Sequence, residues 1–342
     1  MVPTLDIDID IDIDIDEATL QEARGFNRKL AHAPRFKVRN RFTPMLVQSL
    51  MRLSQFNADR KVVRAGIRVE SMTAAMDGMR VPVRVLRPPG PVRALVLDYH
   101  GGGWVIGNAR MNDALNMALV QACGVATVSV DYRLATRVPV QDVMDDCLAA
   151  ARWLLQGGVP GTDGLPVFVV GESAGGHLAA ATLLRLKAWP DLLARIAGAV
   201  LYYGVYDLAG TPSVQRAGPE TLVLDGPGMV ASLRLLTPGL SDAERRRAPL
   251  SPLYGDLAGL PPALLFAGEL DPLRDDSIDM AARWRAANPR GSVNGGAELH
   301  LLPEAPHGVI HFPIALAQRI SAHTHAWIRA RIGALEPISL ST

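Results

Sequence analysis

The stretch Gly171-Glu172-Ser173-Ala174-Gly175-Gly176 decides how the rest of this chain is read. An apolar, branched run, Val167-Phe168-Val169-Val170, precedes it. A run with helical spacing, His177-Leu178-Ala179-Ala180-Ala181-Thr182-Leu183-Leu184, follows. Strand, Gly-x-Ser-x-Gly and helix, in that order, form a nucleophile elbow. A serine on so sharp a turn sits at a strained backbone angle, and its neighbours must be small. Gly171 and Gly175 give that room, and Gly176 lets the helix pack close behind. The hydroxyl then projects from the end of the sheet, and the helix N-terminus points at whatever charge develops there. An ordinary strand-to-helix turn could carry the same residues. The elbow gains meaning only if the chain also supplies an anion site, an acid and a histidine in the right order.

Working upstream, strand-like runs cover 66–71, 80–87 and 94–98, the first two flanking the hairpin signal Asp77-Gly78. After the third comes Tyr99-His100-Gly101-Gly102-Gly103-Trp104-Val105-Ile106-Gly107. Consecutive glycines after a buried strand let backbone N–H groups approach a ligand closely, as in the cradle for a tetrahedral oxyanion. A phosphate loop is the competing reading. The chain lacks Gly-Lys-Ser/Thr there, and the dinucleotide spacing is not matched. A helix is expected around 112–123, a strand over 125–131 and a helix over 141–156. Asp145 and Asp146 read as a helix-face pair rather than catalytic carboxylates.

Downstream of the elbow, a strand at 197–203 is followed by an irregular, Gly- and Pro-rich insertion over about 204–250. It holds short helical pieces near 228–236 and 241–247. So long an insertion between core strands suggests a lid. Arg245-Arg246-Arg247 within it reads as a solvated helix end. The alternation resumes with a strand at 262–267, a helix at 277–287, a strand at 298–302 and a closing helix over 314–332. Alternating strands and helices predict an α/β fold with a mostly parallel sheet flanked by helices.

In such a sheet, strand ends on one side converge in space. Acyl transfer needs a nucleophile, a base, an orienter for the base and donors for the oxyanion. Ser173 is the candidate nucleophile. Asp271 follows the strand at 262–267, and His307 follows the strand at 298–302. Together they give the chain order Ser, Asp, His. Asp275 and Asp276 compete for the acid role, and His300 and His311 for the base.

The totals bound the class. At 342 residues the chain allows one large domain or two smaller ones, and 49% hydrophobic with 20% charged residues describes an ordinary globule. The net charge of +1 gives no footprint for nucleic acid or an anionic membrane. Cys123 and Cys147 are expected to be buried free thiols, without metal-ligand spacing. No secretory signal or apolar run of ~18 residues is present, so a cytoplasmic protein without stable membrane insertion is expected. Near the N-terminus, Asp and Ile alternate from 6 to 16. The aspartates would repel on one strand face, so residues 1–16 are expected to be low-complexity and disordered. A calcium loop is the alternative, but its Gly and its closing Glu are missing. From 17 to 57 the chain reads as helices broken near Pro34 and Pro44. Leu46, Val47, Leu50, Met51 and Leu53 form a stripe that suits either a lid or a plain packing helix.

Together these motifs resemble the hormone-sensitive-lipase family of α/β-hydrolase esterases. The resemblance rests on His100-Gly101-Gly102-Gly103, Asp131-Tyr132-Arg133-Leu134-Ala135, the elbow, Ser251-Pro252-Leu253, Gly259-Leu260-Pro261-Pro262, Asp271-Pro272-Leu273-Arg274-Asp275 and His307-Gly308. It spans about 80 to 310. It implies an α/β-hydrolase domain over 59–335 with a helical cap, built from 17–58 and part of the insertion at about 204–250. It also implies oxyanion donors at Gly102, Gly103 and Ala174, and a bracing role for His100. Trp104 and the cap are expected to shape the substrate pocket. The family usually continues Asp-Tyr-Arg-Leu-Ala with Pro-Glu; here Thr136-Arg137 follow, a departure that touches a structural loop rather than the triad. The expected activity is serine carboxylester hydrolysis of short- to medium-chain acyl esters through an acyl-enzyme. No metal or organic cofactor is implied, and a homodimer is left open. A non-catalytic small-molecule receptor on the same fold is one alternative. An amidase or lactonase using the same triad is another.

Overall fold

Among the described residues eight strands lay down the sheet: β1 (Arg68–Met76), β2 (Met79–Arg87), β3 (Leu95–Tyr99), β4 (Ala126–Val130), β5 (Val167–Glu172), β6 (Ile196–Tyr202), β7 (Ala263–Gly268) and β8 (Ala297–Leu302). Their order across the sheet is β1-β2-β4-β3-β5-β6-β7-β8. The computed structural model describes residues 13–37, 42–289 and 296–335. β2 pairs antiparallel with both β1 and β4, and every later pairing is parallel. The β1–β2 hairpin turns through Asp77 and Gly78 at φ 50° and 80°. Such positive angles suit Asp-Gly and fit the right-handed twist of the strands it joins.

β3, β4, β5 and β7 are buried at every position. Strands covered on both faces can be continuously apolar, which is why these segments carry no alternation. One face packs on helices Val140–Leu155, Ala174–Leu186 and Arg274–Ala287. The other packs on Asp113–Cys123 and Ala315–Leu335. Trp284 is fully buried on the first face, with its indole N–H on the Pro261 carbonyl at 3.1 Å. Truncating such a side chain to alanine costs about 3–5 kcal/mol.

Several expectations change. Residues 6–12 of the Ile-Asp tract lie outside the described residues. Its end is not the disordered tail expected: Ile13 is buried in the second core and Asp16 caps helix Glu17–Leu30, accepting from the Thr19 N–H at 2.8 Å. A single apolar contact plus an N-cap outweighs local composition here. That first helix does not reach the cavity described below. Arg24 and Asn27 bind Glu304, and Arg319 of the closing helix binds Asp16. Arg245 is not solvated: it is 5% exposed and holds Thr237 and Asp242, while Arg246 pairs with Asp207. Helices Ala58–Arg64, Pro190–Leu193 and Pro212–Gln215 are too short for hydrophobic periodicity to announce them. Among the described residues no helix is long and apolar enough to cross a membrane. Cys123 and Cys147 are free and buried.

Candidate active site

Ser173 sits between β5 and helix Ala174–Leu186 at φ 54°, ψ −120°. A non-glycine residue there carries strain of order 1–3 kcal/mol, held by what surrounds it. The surroundings explain the two flanking glycines. A Cβ on Gly171 would lie 2.3 Å from the Gly175 carbonyl oxygen, and one on Gly175 would lie 1.9 Å from that of Tyr99. The Ser173 N–H is fixed to the Tyr202 carbonyl at 2.9 Å.

The structure brings Ser173, His307 and Asp271 together. His307 Nε2 lies 3.0 Å from Ser173 Oγ, and His307 Nδ1 lies 2.8 Å from Asp271 Oδ2. Both partners of the serine are buried. The other Asp271 oxygen accepts the Leu273 N–H at 2.8 Å, which fixes the carboxylate plane. An ionised carboxylate accepts only, so Nδ1 carries the imidazole proton and Nε2 is free to accept from the serine hydroxyl. The Tyr203 ring packs edge-on against His307, centroids 4.8 Å apart.

The competing residues lie elsewhere. Asp276 is buried under the insertion. It accepts the Tyr206 and Asp207 N–H groups at 2.6 and 3.0 Å and the Thr211 hydroxyl at 2.5 Å. Burial pushes its carboxyl up to about 7 against those three bonds. Asp275 binds the Ser213 N–H. Asp145 pairs with Arg185, and Asp146 receives Arg133 in a two-point contact at 2.9 Å. His300, within β8, packs against Phe266 and His323.

His311 joins the site in a role its sequence position did not suggest. Its Nε2 lies 2.9 Å from Glu172 Oε2, next to the nucleophile. Glu172 also accepts the Gly101 N–H at 3.2 Å and the Tyr203 hydroxyl at 3.2 Å. Burial alone would raise the Glu172 carboxyl, but the His311 charge and hydrogen bond, His307 and the Gly101 N–H outweigh it and hold it at about 2. His311 moves up, since attraction to Glu172 outweighs its own burial. The pair braces the elbow and the Gly loop on one carboxylate.

The Gly loop runs through Gly102 and Gly103 at φ 96° and 59°. A Cβ on Gly102 would lie 2.3 Å from the Ile106 carbonyl oxygen. Among the described residues no acceptor bonds the N–H of Gly102, Gly103 or Ala174. His100 braces the loop from below: its ring stacks on Tyr132 at 4.1 Å, and its Nδ1 lies 2.8 Å from the Gly101 carbonyl. Burial lowers its pKa, so it stays neutral. Trp104 donates its indole N–H to His177 Nδ1 at 3.2 Å, and His177 Nε2 in turn donates to the Leu250 carbonyl at 2.9 Å. Burial holds His177 at about 4, so the neutral tautomer persists and Trp104 is locked.

Above the serine lies a cavity of about 880 Å³. Its wall includes Gly102, Gly103, Trp104, Ser173 and His307, with Met229, Leu233 and Leu236 from helix Met229–Leu236. Phe36 and Pro44 reach it from the N-terminal segment. That segment is tied to the insertion by a parallel bridge between Phe36 and Leu224 and by the pair Lys37–Asp225 at 3.4 Å. Thr136 and Arg137, expected in a structural loop, line the same cavity. Among the described residues one cluster has metal-compatible donors, Glu298, His300 and His323 within 4.8 Å of one another. It sits at β8, and Glu298 already accepts the Trp327 indole N–H and faces Arg331.

The chain matches the alpha/beta hydrolase fold family over residues 96–311. It is 34% identical over 261 residues to carboxylesterase NlhH of Mycobacterium tuberculosis, covering 73% of this chain and 78% of that protein. To ethyl acetate hydrolase of Pseudomonas putida it is 35% identical over 217 residues, covering 62% and 67%. The crystal structure of esterase LipW from Mycobacterium marinum superimposes with a TM-score of 0.76 at 27% identity, covering 90% of this chain and 95% of that one.

Proposed function

This chain belongs to the α/β-hydrolase family, among its hormone-sensitive-lipase-like esterases, and from that premise we propose that it is a serine carboxylesterase working through the Ser173, His307 and Asp271 side chains. The observation that carries the reading is the continuous relay from Ser173 Oγ to His307 to Asp271 at 3.0 and 2.8 Å, facing the 880 Å³ cavity.

His307 Nε2 takes the Ser173 proton as Oγ attacks the ester carbonyl. Asp271 holds the ring and stabilises the imidazolium that forms. The N–H groups of Gly102, Gly103 and Ala174 receive the oxyanion, each contributing about 3 kcal/mol to the transition state. The imidazolium then protonates the leaving alkoxide, and an acyl-Ser173 ester remains. Water, activated by the same His307 nitrogen, releases the acid and restores the serine. The mostly apolar cavity wall favours acyl chains over polar groups, and a short- to medium-chain optimum is expected. Two free, buried cysteines are consistent with a cytoplasmic setting.

The test is hydrolysis of 4-nitrophenyl butyrate by wild type and Ser173→Ala, with fluorophosphonate labelling alongside. We expect the variant to lose at least about 10³-fold in kcat and all labelling. Equal rates in the two proteins would overturn the reading.

A further inference from the structure

We propose that Arg137 forms an anion subsite in the cavity wall, so that the esters this protein prefers carry a free carboxylate. The proposal rests on the esterase reading above. It starts from the charged and titratable groups lining the cavity, which among the described residues are Arg137, Glu172, Asp225, His307 and His311. Four of them are already answered. Glu172 meets His311 at 2.9 Å, His307 meets Asp271 at 2.8 Å, and Asp225 meets Lys37 at 3.4 Å.

Arg137 is the exception. It is exposed, and among the described residues neither a carboxylate nor a carbonyl bonds its guanidinium. Its backbone N–H is used locally, donating to the Leu134 carbonyl at 3.0 Å. Arg133, only four positions earlier, shows the contrast: it is held by Asp146 and Asp142 and is not available. Around Arg137 the wall is neutral, with Thr136, Val138 and Gln141. Gln141 lies in the first turn of helix Val140–Leu155, so the positive end of that helix dipole is on the same side. Asp142 in that turn opposes it, but is itself paired with Arg133 at 3.4 Å.

An arginine fork matches a carboxylate in two parallel hydrogen bonds and stays charged at all working pH values. Ser173 and Arg137 line the same cavity, so an ester whose acyl part ends in a carboxylate meets both the nucleophile and the cation within it. An unpaired cation on the wall of a mostly apolar cavity gives nothing to a plain alkyl ester. It favours an anionic one, and it does so less at high salt.

The experiment compares two substrates of equal acyl length, mono-4-nitrophenyl adipate and 4-nitrophenyl hexanoate, which differ by a carboxylate in place of the terminal methyl. The readout is the ratio of their kcat/KM values, so the folded fraction of a variant cancels. In low salt Arg137→Gln is expected to lower the adipate-to-hexanoate ratio about ten-fold, and Arg137→Lys to lower it less. In 0.5 M NaCl the wild-type ratio should fall toward that of the variant. A ratio unchanged within two-fold in Arg137→Gln would overturn the proposal and leave Arg137 a solvated surface charge. If neither ester were cleaved, the esterase reading would fall instead. Calorimetric binding of monoethyl adipate to wild type and Arg137→Gln would then decide the subsite: weaker binding to the variant supports it, and equal binding overturns it.

Discussion

At the scale of single residues, the relay depends on which nitrogen of His307 holds its proton. Asp271 sets this through its 2.8 Å contact with Nδ1. Asp271→Asn would keep the size but offer an N–H where an acceptor is needed, turning the tautomer so that Nε2 no longer accepts from the serine. We expect kcat to fall by about 10³–10⁴-fold with little change in thermal midpoint, measured on 4-nitrophenyl butyrate and by calorimetry. A drop below ten-fold would mean that the base is oriented by something else. The three residues could be named from sequence because each follows a strand end directly, and strand ends converge. The Glu172–His311 pair could not. His311 read only as a rival base, since its partner is chosen by the turn at 303–311, which carries no local pattern.

That pair gives a pH dependence with a definite sign. Glu172 falls from 4.5 to about 2, so its stabilisation is complete above 4.5 and fades as pH falls toward 2. His311 rises from 6.5, so its stabilisation is complete below 6.5 and fades as pH climbs through the raised value. The stability gap between wild type and His311→Gln should therefore be widest between about pH 4.5 and 6.5 and shrink at pH 8.5. Urea unfolding at pH 5.5 and 8.5 measures it. An equal gap at both values would show that the two side chains do not interact as an ion pair.

At the scale of elements, the central strands were legible as short, continuously apolar runs and the long helices by their periodicity. The insertion was not. Its position is set by contacts across the chain: Asp276 holds Tyr206, Asp207 and Thr211, and buried Arg245 holds Thr237. In sequence, Asp276 read as a rival for the acid role and Arg245 as a solvated charge, because neither local neighbourhood reveals a distant partner. Asp276→Ala strands two backbone donors in a buried site. About 1–3 kcal/mol for each gives a loss of about 2–6 kcal/mol in unfolding free energy. Protease sensitivity should rise first within 204–250. A loss below about 0.5 kcal/mol, with unchanged proteolysis, would mean that the insertion is held by its apolar contacts alone.

At the scale of the whole molecule, the cavity wall draws on two segments far apart in sequence, and this joint was the part least open to sequence reading. The bridge from Phe36 to Leu224 and the double contact of Gln48 with the Gly107 backbone, both 2.7 Å, join the N-terminal segment to the insertion and to the Gly loop. A stripe at 46–53 can suggest a lid but cannot say what it touches. Helix Met229–Leu236 presents Met229, Ser232, Leu233, Leu235 and Leu236 to the cavity, all but Leu235 on one face at helical spacing. We expect that face to measure chain length, since the elbow and the Gly loop are held in place by the reacting groups. Met229→Trp adds bulk at a half-buried position on it, and so should shorten the longest acyl chain accepted without disturbing the relay. The ratio of kcat/KM for 4-nitrophenyl octanoate to that for the butyrate is expected to fall on the order of ten-fold, with the butyrate value changing less than about three-fold. If both esters slowed equally, the helix would be supporting the relay itself. If neither slowed, the acyl chain would run along another part of the wall.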